Sequence, residues 1–124
     1  MAKGIELILR EGDKAPAFKA ESQDGDQVRL SDFKGKFVVL YFYPKDNTPG
    51  CTKEACAFRD LHAEFRDAGA VVVGVSIDPV KVHQKFINKF ELPFTLLADE
   101  SKEIVTKYGV WGPKQFMGRT FDGI

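Results

Sequence analysis

Long apolar runs, an excess of charge of one sign and internal repeats are all missing from this chain, and each absence removes a class of function. No apolar run approaches the roughly 20 residues that span a bilayer. The opening MAKGIELILREGDKAP holds only a short apolar stretch broken by Glu6 and followed by Arg10 and Glu11, which fits neither a secretory signal nor a membrane anchor. Eighteen basic residues cancel eighteen acidic ones, and the two signs are interleaved. Composition therefore offers no footprint for nucleic acid or an anionic membrane surface. With no linker or low-complexity tract, 124 residues support one core rather than two, so residues 1–124 are expected to form a single domain. Cysteine is scarce as well, with only Cys51 and Cys56. A reducing, cytoplasmic setting is the expectation. There, persistent disulfides are uncommon, which leaves two readings for the pair: unrelated core thiols, or a transient catalytic couple.

What is present alternates in period. Phe37–Tyr43, Ala70–Ile77 and Phe94–Ala98 are apolar runs rich in β-branched and aromatic residues, the signature of parallel strands covered on both faces. Between them, residues 49–68 place Ala55, Phe58, Leu61, Phe65 and Ala68 at helical steps before Gly69, predicting one long helix. A second helix is predicted over 79–90, with Val82, Phe86 and Phe90 inward, Asp78 as N-cap and Pro79 in its first position. A third is predicted over 101–108. The order strand, helix, strand, helix, strand implies consecutive βαβ units and an α/β fold. Ahead of them, residues 18–22 and 27–30 flank Gln23-Asp24-Gly25-Asp26, a hairpin signal. Trp111, Phe116, Met117 and Phe121 are apolar without an evident closing helix. At least one edge of the three-strand sheet is therefore expected to lack cover.

The first core strand leads into Pro44-Lys45-Asp46-Asn47-Thr48-Pro49-Gly50-Cys51. Thr48 suits an N-cap and Pro49 the first helical position, which puts Cys51 at the third. That position faces unpaired backbone N–H groups and is often acidic. The partial positive charge of a helix start favours a thiolate there, which is how reactive cysteines are made. Cys56 lies five residues on, about 500° of rotation and about 7.5 Å of rise away. Cys51 is thus expected on the core or cleft side and Cys56 on the solvent side. Their Cα atoms would be about 8.7 Å apart, beyond the ~7 Å reach of a disulfide. A bridge between them requires the first turns of the helix to unwind.

These residues resemble a known family. Pro44, Thr48 and Cys51 fit the peroxiredoxin pattern of proline, three residues, threonine, two residues and cysteine, and YFYPKDNTPGCTKEAC is similar to the branch called peroxiredoxin Q or bacterioferritin comigratory protein. The resemblance extends through EGDKAPAFKAESQDGDQVRLSDFKGK, FTLLAD and YGVWGPKQFMGRTFDGI. It implies a thioredoxin-like fold and reduction of hydrogen peroxide or alkyl hydroperoxides. Carried over by position, Cys51 is the peroxidatic cysteine and becomes a sulfenic acid. Thr48 holds the peroxide, Pro44 covers the pocket and excludes water, and Cys56 resolves the sulfenic acid as an intramolecular disulfide. Thioredoxin or a similar donor then reduces the disulfide. Neither cofactor nor metal is implied, and the branch is expected to be monomeric. The family's active-site arginine belongs to a strand expected just past Ile124, and neither Arg119 nor Arg59 matches it. The family's last strands and terminal helix are likewise absent, so the resemblance suggests a C-terminally truncated chain with lowered peroxidase activity, marginal stability or association through the open sheet edge.

Other readings of the same residues are weaker. His62 and His83 invite a metal site with the cysteines, but Cys-x4-Cys lies outside common zinc spacing and both histidines read as partly exposed helix residues. A thioredoxin-type disulfide oxidoreductase would keep its sulfurs within one turn as Cys-x-x-Cys. A redox-regulated binding or holdase module would use helix unwinding to expose Phe58. Lys45 and Lys53 flank Cys51 and read as surface charges.

Overall fold

The computed structural model describes residues 9–116 and 119–124, with the side chains of residues 114–121 outside the description. Seven strands and four helices follow in chain order: β1 Lys19–Ser22, β2 Gln27–Arg29, β3 Phe37–Phe42, α1 Pro49–Asp60, α2 His62–Asp67, β4 Ala70–Ser76, α3 Val80–Phe90, β5 Thr95–Ala98, α4 Glu103–Lys107, β6 Gly112–Phe116 and β7 Arg119–Gly123. Five strands form one sheet in the order β2-β1-β5-β4-β3. The three apolar runs pair in parallel, with Val39 opposite Val72 and Val75 opposite Leu97. The leading hairpin forms around Gly25, whose positive φ of 82° suits a residue without a Cβ. It joins the same sheet because β1 runs antiparallel to β5.

The central strands are apolar throughout because both faces are covered. On one face Phe18, Val73, Val75 and Leu97 meet Ile104, Val105 and Tyr108. On the other, Val72 and Leu96 meet Tyr43, Ala55, Phe86, Leu92 and Phe94, with Cys51 and Phe58 packed against them. Successive residues of β4 and β5 divide between the two clusters, as the period of two requires. α1 thus lies on the second face and carries Cys51 to the end of the sheet where β3 finishes.

Several expectations need correction. The single helix over 49–68 is two, because Leu61 (φ −98°, ψ 5°) leaves the helical conformation between α1 and α2. Leu61 is consequently 43% exposed rather than on the core face, and Ala68 is exposed beyond α2. α3 starts at Val80, with Pro79 in the cap position and no side-chain cap bond. Asp78 is not its cap, since its carboxylate accepts from Ser76 Oγ (2.7 Å) and from the Asp46 backbone N–H (2.8 Å). α4 is shorter than 101–108, and Asp99 holds its start by accepting from the N–H groups of Ile104 (3.1 Å) and Val105 (2.9 Å). Gly112–Phe116 and Arg119–Gly123 form an antiparallel pair, β6 with β7, which their glycines and Pro113 concealed. Among the described residues β3 pairs with β4 alone and forms the sheet edge. Among these residues, no helix is long and apolar enough to cross a membrane.

Candidate active site

The loop from β3 into α1 places the chemistry. Thr48 is the residue before the helix and Pro49 its first position, so Cys51 stands third, as the spacing predicts. Thr48 makes no side-chain cap bond. Its hydroxyl instead donates to the Lys45 carbonyl at 2.9 Å and closes the loop on itself. That leaves the oxygen lone pairs of Thr48 and the first N–H groups of α1 open to a ligand. Pro44, Lys45 and Asn47 are exposed. Asn47 has a positive φ of 60°, a left-handed conformation that asparagine tolerates better than most residues.

Cys51 and Cys56 are both free thiols and both half-buried. Cys51 packs against the apolar cluster as expected, whereas Cys56, also half-buried, is not among the residues packed on either cluster. Arg59, one turn beyond Cys56, donates to the Phe90 carbonyl at 2.9 Å and pairs with Asp60 at 3.1 Å. The side chain of Arg119 falls outside the described residues. Lys53 is exposed.

Aromatic residues back the thiol. Tyr41 stacks on Phe58 at 4.6 Å and on Tyr43 at 5.4 Å between ring centroids. Burial, then the charges of Glu54, Asp46 and Cys51, raise the Tyr41 phenol well above its ordinary range and keep it protonated. Its hydroxyl is buried without a hydrogen-bond partner among the described residues.

Sequence reasoning missed the polar group beneath the loop. Asp46 (4% exposed) accepts a short hydrogen bond from the Tyr43 hydroxyl, and its other oxygen lies 2.5 Å from His83 Nδ1. His83 is fully buried, not partly exposed, and its Nε2 lies 3.0 Å from the Leu97 carbonyl. Burial and then the Asp46 charge raise the Tyr43 phenol far above its usual value, so it remains a donor. Asp46, Asp78 and His83 have potential ligand atoms within 4.8 Å of one another. Asp46, Asp78 and His83 already hold hydrogen bonds to Tyr43, Ser76, the Asp46 N–H and the Leu97 carbonyl. The cysteines do not join this cluster.

A thiol at a helix start, on a sheet of this order, can be set beside known proteins by comparing the whole chain. The family model described as AhpC/TSA family covers residues 11–121. The chain belongs to the AhpC/TSA family of peroxiredoxins. It is 50% identical over 116 residues to Peroxiredoxin Bcp of Escherichia coli K12, covering 94% of this chain and 74% of that protein. It is 49% identical over 118 residues to Peroxiredoxin Bcp of Bacillus subtilis 168, covering 95% and 75%. Among solved structures, peroxiredoxin Q of Xanthomonas campestris superposes with a TM-score of 0.81 at 38% identity, covering 86% of this chain and 68% of that one. Peroxiredoxin Q of Xylella fastidiosa superposes with a TM-score of 0.83 at 30% identity, covering 99% and 76%. The fold is thioredoxin-like, and the resemblance drawn from Pro44, Thr48 and Cys51 holds along the chain.

Proposed function

We propose that this peroxiredoxin reduces hydroperoxides with Cys51 as nucleophile and Cys56 as resolving thiol. The observation that carries the assignment is the free Cys51 thiol at the third position of α1, directly behind the Thr48 loop. One structural relative, the bacterioferritin comigratory protein of X. campestris, is described through its alkyl peroxide reduction activity. Thr48 Oγ1, already donating to Lys45, accepts a hydrogen bond from the peroxide O–H and aligns its O–O bond with sulfur. Pro44 borders the entrance.

In the first step the Cys51 thiolate attacks one peroxide oxygen. An S–O bond forms, the O–O bond breaks, sulfur is oxidised by two electrons, and the leaving alkoxide takes a proton to become alcohol or water. In the second step the first turn of α1 unwinds and the Cys56 thiolate attacks the Cys51 sulfenic sulfur. An S–S bond forms and hydroxide leaves, taking a proton to become water. A thioredoxin-like dithiol then reduces the disulfide by exchange and is itself oxidised. The protein acts as a monomer in the cytoplasm on this reading, with reducing surroundings returning both thiols.

Rapid mixing of reduced protein with peroxide tests the assignment. Thiol loss should vanish in Cys51→Ser and stop at sulfenic acid in Cys56→Ser. Slow, equal loss of both thiols in the unaltered protein would overturn it and favour a binding or holdase role.

A further inference from the structure

Two residues before the N-cap of α1, Asp46 turns into the interior and ties the active-site loop to three other segments. Its N–H donates to Asp78 Oδ2 at 2.8 Å, and its carboxylate takes the Tyr43 hydroxyl and faces His83 Nδ1 at 2.5 Å. The Leu97 carbonyl 3.0 Å from Nε2 can only accept, so Nε2 carries a proton. The Asp46 carboxylate thus links the end of β3 with α3, and through His83 with β5, while the Asp46 N–H holds the turn after β4.

The residues that follow are held differently. Thr48 caps nothing with its side chain, Pro49 has no N–H, and Pro49 and Gly50 are exposed. The backbone bond from Thr52 N–H to the Thr48 carbonyl, 2.8 Å, is what closes the first turn. A buried polar network is costly to leave half satisfied, whereas an exposed turn exchanges its bonds for water. The segment therefore has a fixed end at Asp46, a loose end at Gly50 and a junction at Asn47–Thr48.

We propose that the Tyr43–Asp46–His83 chain anchors the Pro44–Thr48 loop while the first turn of α1 unwinds beyond it, so that these positioning residues set the balance between peroxide attack and resolution. The proposal rests on the assignment of Cys51 and Cys56 above. Attack needs Thr48 and Cys51 held together in the folded loop. Resolution needs Cys51 to leave its helical place and approach Cys56. Loosening the anchor therefore moves the two steps in opposite directions, which simple loss of stability does not do.

The test is rapid quenching and mass mapping of reduced protein after peroxide addition. It uses the unaltered chain, Asp46→Ala, Asp46→Asn, Tyr43→Phe, and Val105→Ala as a control in the opposite core cluster. Asp46→Ala should slow Cys51 oxidation about tenfold, the loss expected of a broken buried hydrogen bond. It should speed disulfide formation about threefold as the unwound state gains population, with less Cys51 sulfinic acid in excess peroxide. Asp46→Asn should fall between the unaltered chain and Asp46→Ala, because its oxygen still accepts from Tyr43 while the carboxylate contact with His83 Nδ1 is lost. Tyr43→Phe removes one bond and fills the same space, so it should shift both constants in the Asp46→Ala directions even if Asp46→Ala fails to fold. Both constants falling together in Tyr43→Phe, neither moving, or Val105→Ala giving the same split would overturn the proposal. If the unaltered chain does not oxidise first at Cys51, the assignment beneath it fails as well, and the two failures are told apart by that arm.

Discussion

Replacing Gly74 by alanine tests the packing that supports the active-site helix. Gly74 lies in the middle of β4, and its φ is not in the left-handed region, so an alanine meets no backbone penalty. The obstacle is steric. A Cβ there would sit 2.8 Å from Leu96 Cδ2, 2.8 Å from Tyr41 Cζ and 2.9 Å from Tyr41 Oη, where ordinary contacts begin near 3.5 Å. Leu96 is fully buried, and Tyr41 is held between Phe58 and Tyr43, so neither gives way freely. Overpacking of this kind costs about 1–3 kcal/mol, and an alanine in a strand returns about 0.5–1 kcal/mol of backbone entropy. The net loss is about 1–2 kcal/mol. For a chain of 124 residues each kcal/mol is about 4 °C, so Tm should fall by roughly 4–8 °C in a calorimetric scan. Adding Tyr41→Phe removes the Oη contact but not the Cζ contact, so it should raise stability more in Gly74→Ala than it does in the unaltered chain. An unchanged Tm in Gly74→Ala would refute the reasoning, as would an equal gain from Tyr41→Phe in the unaltered chain and in Gly74→Ala.

Tyr41→Phe alone should raise stability by about 1 kcal/mol in urea unfolding, because it removes a buried hydroxyl that has no partner among the described residues. A loss of similar size would show that the hydroxyl is bonded in solution. Asp99→Ala should cost about 2–4 kcal/mol by the same measurement, since it strips two backbone N–H groups at the start of α4 of their acceptor. The Asp99 carboxyl is raised above 3.8, by burial first and then by Glu103, against the lowering effect of its backbone donors. A raised acid binds its proton more tightly when folded, so its share of stability is complete below the unfolded value and is lost as pH rises through the folded one. The stability difference between Asp99→Asn and the unaltered chain should therefore move in favour of the unaltered chain as pH falls through this range. Movement the other way would refute the assignment.

The sequence made some parts of this protein legible and hid others for physical reasons. The three parallel strands announce themselves because both faces are buried, and Cys51 is found because Thr48 and Pro49 mark a helix start locally. The break at Leu61 is hidden, since the apolar spacing continues across it into Phe65 and only the backbone at one residue departs. The Asp46–His83 contact spans 37 positions and follows no period. A polar residue buried on an otherwise amphipathic helix is its sole trace, at His83 three residues before the buried Phe86. The β6–β7 pair is obscured by Gly112 and Pro113, residues that disfavour strands wherever they occur.

The central claim is that Cys51, and not Cys56, meets the peroxide. Mixing reduced protein with one equivalent of hydrogen peroxide and mapping each thiol by mass against time tests it most directly. Oxygen should appear on Cys51 first, followed by a Cys51–Cys56 disulfide formed at a rate independent of protein concentration. Oxygen arriving first on Cys56, or on both sulfurs at equal rates, would contradict the account.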